Sequence, residues 1–143
     1  MRSGVESYRS VQAAGIAAGQ AVLLIGEDAA LEAQLAKAVE AEGLRLVVAA
    51  SATEAKDCLQ KDENIVFIVG DLDDGMTLQQ AIDATQSNRQ HISWSRLPGL
   101  LLVPPGLVAH EEQLRASGVL ADMLPKPVDA DMLRLRIRRA QAR

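Results

Sequence analysis

Short apolar runs alternate with segments of helical spacing along most of the chain. Ala21-Val22-Leu23-Leu24-Ile25 is wholly apolar and stops at Gly26, which suits a strand buried on both faces of a parallel sheet. From Ala29 to Glu42, Leu31, Leu35, Ala38 and Val39 recur at helical spacing, and Gly43 can close that helix because its C-terminal cap favours positive φ. Leu44 to Ala49 predicts a second strand. Ser51-Ala52-Thr53-Glu54 has the form of a capping box, followed by an apolar stripe of Ala55, Cys58 and Leu59. The β-branched content of Ile65-Val66-Phe67-Ile68-Val69 makes the third strand the clearest.

Beyond it the pattern loosens. Gly75 to Gln86 predicts a third helix with Leu78, Ala81 and Ile82 inward, and Ser87 to Arg96 is a polar stretch holding Trp94. Leu100 to Val103 is a fourth strand, and His110 to Ala116 a short helix ending near Gly118. Leu120 to Leu124 is a weaker fifth strand, interrupted by Asp122. Asp129 or Asp131 can open a last helix through Arg143, with Leu133, Ile137 and Ala140 on one face. Five strands each followed by a helix predict one α/β domain over residues 21–143, a three-layer sandwich around a five-stranded parallel sheet. Residues 1–20 predict a flexible N-terminal extension, because they lack the continuous apolar block of a secretory signal.

Composition narrows the chemistry. The single cysteine, Cys58, excludes an intrachain disulfide and a multi-thiolate metal site, and fits a reducing, cytoplasmic setting. A net charge of −4 and only three aromatics (Tyr8, Phe67 and Trp94) argue against nucleic acid as a partner. No apolar run approaches the length of a membrane span. There is no Gly-rich phosphate loop, dinucleotide fingerprint or nucleophile elbow, and neither His91 nor His110 has metal-ligand spacing, so an enzyme is not expected.

In a parallel α/β sheet, functional groups gather beyond the carboxyl ends of the strands. Glu27 and Asp28 follow the first strand, Asp71, Asp73 and Asp74 the third, Pro104 and Pro105 the fourth, and Lys126 the fifth. Carboxylates from two strand ends suit a hard cation such as Mg²⁺, and a lysine beside them suits a phosphoryl group.

These segments resemble the receiver domain of two-component response regulators, a flavodoxin-like (βα)₅ fold of bacterial signalling. The resemblance rests on Val22-Leu23-Leu24-Ile25-Gly26-Glu27-Asp28, Ile68-Val69-Gly70-Asp71-Leu72 and Leu124-Pro125-Lys126-Pro127-Val128-Asp129. It implies that Asp71 is the phosphoryl acceptor and that Lys126 pairs with it or with its phosphate. It further implies Mg²⁺ held by Glu27 and Asp71, with Asp28 and the Asp73 backbone as further candidates, and a histidine kinase or phosphotransfer protein as donor. The family's acidic pair after the first strand is incomplete, because its first member falls on Gly26.

Three further positions depart from the family. The hydroxyl residue ending the fourth strand is Val103, the next position is Pro104, which has no N–H, and the aromatic switch on the fifth strand is Met123. The expectation is an atypical receiver that takes phosphate weakly. Its rivals are a pseudo-receiver, acting as a phosphorylation-independent interaction or ligand-binding module, and a small flavodoxin-like enzyme or nucleotide binder. Arg134, Arg136, Arg138 and Arg139 on the last helix form a candidate partner surface, and the resemblance implies homodimerisation through the fourth and fifth helices.

Overall fold

The computed structural model describes residues 19–116 and 122–141. Five strands, β1 (Ala21–Ile25), β2 (Arg45–Ala49), β3 (Ile65–Asp71), β4 (Gly99–Val103) and β5 (Asp122–Pro125), form one sheet in the order β2-β1-β3-β4-β5, every pairing parallel. Between and after them run α1 (Ala29–Ala41), α2 (Ala52–Lys61), α3 (Leu78–Ile92), α4 (Glu111–Ala116) and α5 (Ala130–Gln141). This is the predicted flavodoxin-like three-layer sandwich.

Side chains alternate between the sheet's faces, and the core is divided accordingly. Val22, Leu24, Leu46, Val48, Phe67, Val69, Leu100 and Leu102 pack under Leu31, Leu35 and Val39 of α1 and Leu133 and Ile137 of α5. The opposite face holds two smaller clusters. Leu23, Ile25, Val47 and Ile68 meet Ala55, Cys58 and Leu59 of α2, while Leu101, Val103 and Met123 meet Ala81 of α3 and Leu114 of α4. A register shift between Ala21 and Val22 lets Ile65 and Ile68 of β3 both face α2.

Local chemistry sets the boundaries. The Ser51 hydroxyl accepts from Glu54 N–H while the Glu54 carboxylate accepts from Ala50 N–H, a reciprocal cap at the start of α2. Gly43 takes φ +77° after α1, the conformation that only glycine adopts without steric cost. The predicted polar stretch after Gln86 is corrected: α3 runs on to Ile92, followed by a 3₁₀ turn at Ser93–Ser95. Its polar residues can remain helical because α3 fully buries only Ala81 and Thr85 and leaves its other positions half-buried or exposed. The start of α4 also shifts, to Glu111, because Pro105–His110 forms a 3₁₀ helix. The described part of the fifth strand runs from Asp122 to Pro125, one residue beyond the predicted end. The helix end near Gly118, the strand start at Leu120, the extension over residues 1–18, the Ala140 side chain and Arg143 lie outside the description. No helix among the described residues is long and apolar enough to cross a membrane.

Candidate functional site at the strand ends

Asp71 is the last residue of β3, and Lys126 follows directly on β5. Since β4 lies between those strands, the Lys126 side chain reaches past the end of β4 to meet Asp71. Its backbone is pinned first: Lys126 N–H donates to the Val103 carbonyl at 2.8 Å. Lys126 Nζ then donates to Asp71 Oδ1 at 2.8 Å and lies 3.2 Å from Asp74 Oδ1. The Asp71 side chain is 1% exposed and that of Lys126 11%, whereas Asp74 is 75% exposed.

Asp71 Oδ2 is buried and has no hydrogen-bond partner, a costly arrangement for a carboxylate oxygen unless something completes it. Burial is the largest influence on this carboxyl and pushes its pKa above the usual carboxylate value. The Lys126 hydrogen bond and charge pull it back, and Asp73 and Asp28 push it up again. Burial also works against the Lys126 ammonium, but Asp71 and then Asp74 outweigh it, and its pKa lies above the ordinary lysine value. Three carboxylates, Asp71, Asp73 and Asp28, thus act on this corner besides Asp74, against the single ammonium of Lys126.

Gly26 permits this geometry. A Cβ at that position would lie 3.0 Å from Asp71 Cβ and 3.5 Å from Oδ2, so the absent side chain is what lets Asp71 settle against the end of β1. Glu27 and Asp28 next to it are both exposed. Asp28 has a local task that the sequence reading did not assign to it. Its Oδ1 caps α1, accepting from Ala30 N–H at 2.9 Å and Leu31 N–H at 3.2 Å. That leaves Glu27 as the freer carboxylate of the two.

Among the described residues no three histidine, cysteine or carboxylate side chains converge as a metal cluster. Mg²⁺ does not require one, since it commonly takes one or two carboxylates and completes its octahedron with water. The unpartnered Asp71 Oδ2 suits such a role, and Glu27 is an exposed carboxylate next to Gly26 beyond the end of β1.

At the end of β4 the surroundings are apolar. Val103 is fully buried, Met123 is buried in the same cluster with Leu107 and Leu114, and Pro104 opens the 3₁₀ helix without a side-chain cap. Three of the four candidate arginines on α5 pair with carboxylates of the same chain. Arg134 and Arg138 both reach Glu42 at the end of α1, Arg136 lies 3.6 Å from Asp122, and Arg139 is exposed. The hydrogen bond from Arg138 holds the Glu42 carboxyl below its usual range; burial opposes this and Arg134 adds to it. Two of the four arginines therefore clamp α1 to α5.

No protein-family profile matches the chain, and no curated protein sequence does. Solved structures match it closely in shape. A Chloroflexus aurantiacus protein assigned as a response regulator superposes with a TM-score of 0.66 at 23% identity, over 87% of this chain and 99% of its own. The receiver domain of a sensor histidine kinase from Pseudomonas aeruginosa, which has a magnesium ion in its active-site cleft, gives 0.64 at 19% identity, over 87% and 99%. The chemotaxis response regulator CheY4 of Vibrio cholerae gives 0.63 at 20%, over 85% and 98%. The fold is that of a response-regulator receiver domain. Within this fold, Asp71 and Lys126 lie together at one strand-end edge. The sequence reading missed the hold of Asp74 on Lys126, the contact between Gly26 and Asp71 and the Glu42 clamp.

Proposed function

We propose that this chain is a phosphorelay receiver module. It accepts a phosphoryl group on Asp71 from a histidine kinase or phosphotransfer protein, with Mg²⁺, and holds it weakly. The observation that carries this reading is the Asp71 carboxylate at the end of β3, paired through one oxygen with Lys126 and unpartnered at the other. In the transfer, an Asp71 oxygen attacks phosphorus in line. A P–O bond forms, the P–N bond to the donor imidazole breaks, and its electron pair remains on the ring nitrogen. Such a step needs positioning and charge neutralisation more than acid–base groups, and Lys126 supplies the fixed positive charge. Mg²⁺, held by Glu27, Asp71 and the Asp73 carbonyl, would supply the rest of the neutralisation. Weak retention follows from Val103, which has no donor, and Pro104, which has no N–H to offer a phosphoryl oxygen.

The test is incubation with Mg²⁺ and a small phosphodonor, followed by intact mass. A short-lived adduct that disappears in Asp71→Asn supports the reading, and no adduct under any donor refutes it. A second reading, a pseudo-receiver that works without phosphate, is favoured by one observation: Asp71 is almost wholly enclosed by its own ion pair and Gly26. In that case Asp71→Asn changes stability while partner binding survives.

A further inference from the structure

Asp74 was not needed to recognise the fold, yet its side chain lies on the same ammonium as the acceptor. Lys126 Nζ is 2.8 Å from Asp71 Oδ1 and 3.2 Å from Asp74 Oδ1, and an ammonium has three N–H donors with which to serve both. Asp74 is aimed there by a turn. Met76 N–H donates to the Asp73 carbonyl at 3.4 Å, and Gly75 takes φ +83°, the left-handed value a type II turn needs at its third residue. That places Asp74 second in the turn, on the solvent side of Lys126, while Asp71 occupies the buried side.

We propose that Asp74 is a positioning residue for Lys126, keeping its ammonium at the mouth of the site while Asp71 is consumed as a nucleophile. The inference rests on the acceptor reading above. As an Asp71 oxygen gives an electron pair to phosphorus, its hold on Lys126 weakens. Asp74 takes no part in bond making, so its attraction for the ammonium is undiminished. Without Asp74, an 11%-exposed lysine would lose its principal partner at the moment its charge is needed. The other carboxylates acting on Asp71, Asp73 and Asp28, have no hydrogen bond to Lys126.

Two measurements decide this. The first is the order of the Lys126 ammonium by ¹⁵N NMR and requires no phosphorylation. In Asp71→Asn the ammonium remains ordered. In Asp71→Asn with Asp74→Asn it becomes mobile, and Asp71→Asn with Asp74→Glu restores order. Equal mobility in the single variant and in the double variant carrying Asp74→Asn overturns the proposal. The second is the rate of Mg²⁺-dependent modification of Asp71 by phosphoramidate. Asp74→Asn slows it severalfold and Asp74→Glu recovers it, whereas an unchanged rate in Asp74→Asn overturns the role in transfer. If the wild type takes no phosphoryl group at all, the acceptor reading falls, and the ammonium measurement still decides whether Asp74 holds Lys126.

Discussion

Two stretches of the same sheet edge are built in opposite ways. At the ends of β3 and β5, charge is buried: Asp71 and Lys126 form an enclosed ion pair, with Asp74 sharing the lysine from outside. At the end of β4, which lies between those strands, Val103, Met123, Leu107 and Leu114 form a closed apolar cluster, and Pro104 removes a backbone donor. The first region holds the carboxylate and the ammonium on which the proposed phosphoryl transfer rests. The second lacks the groups that would grip a phosphoryl group and pass on its presence. One sheet edge can thus bury an ion pair at two strand ends and plain apolar packing at the strand between them.

The comparison is broken most severely at the ion pair. Lys126→Met leaves a buried carboxylate unpaired and costs about 3 kcal/mol at pH 7, the usual scale for breaking an enclosed pair from one side, which denaturant unfolding measures. The comparison is sharpened by repairing β4. Val103→Thr with Pro104→Ala supplies the two absent donors and extends the lifetime of an Asp71 adduct at least about tenfold, because one charge-assisted hydrogen bond contributes roughly 1.5–3 kcal/mol. Intact mass against time gives that lifetime. A smaller effect is expected at Gly26→Ala. Its new Cβ would lie 3.0 Å from Asp71 Cβ, and accommodating it costs about 1 kcal/mol. Gly26→Asp displaces Asp71 similarly but adds a carboxylate, so Mg²⁺ binding followed by calorimetry tightens while stability falls.

The weakest effect is in pH dependence. Burial raises the Asp71 carboxyl above its unfolded value, so the folded state binds this proton more tightly. The contribution of that proton to stability is therefore present at acid pH and lost as pH rises from about 4 through the raised folded value. Unfolding free energy of wild type relative to Asp71→Asn declines over that window, and a rise there contradicts the assignment.

Much of this was legible in the sequence where one residue's role is dictated by one neighbourhood. The wholly apolar β1, the Ser51–Glu54 cap and Gly43 each carry a local signal, and their elements lie within a residue or two of prediction. Asp71 and Lys126 were recognisable because strand ends are where such groups act. What could not be read depended on distant partners. The second half of α3 has no fully buried residue after Thr85, and a window of sequence cannot tell such a segment from a loop. The capping role of Asp28 was hidden because an N-cap and a candidate metal ligand are the same residue type at the same strand end. Glu42 and the arginines of α5 are separated by more than ninety residues, and only their packing reveals the clamp.

The central claim is that occupation of Asp71 is felt at the ends of β3 and β5 and not in the apolar cluster at the end of β4. Saturating the protein with Mg²⁺ and the phosphoryl mimic beryllofluoride, and mapping amide shifts, tests it directly. The account predicts changes at residues 26–28, 70–74 and 126, with residues 105–116 and Met123 unmoved, because neither Val103 nor Met123 can relay the new charge. Shifts spreading through the 3₁₀ helix and α4 would contradict it.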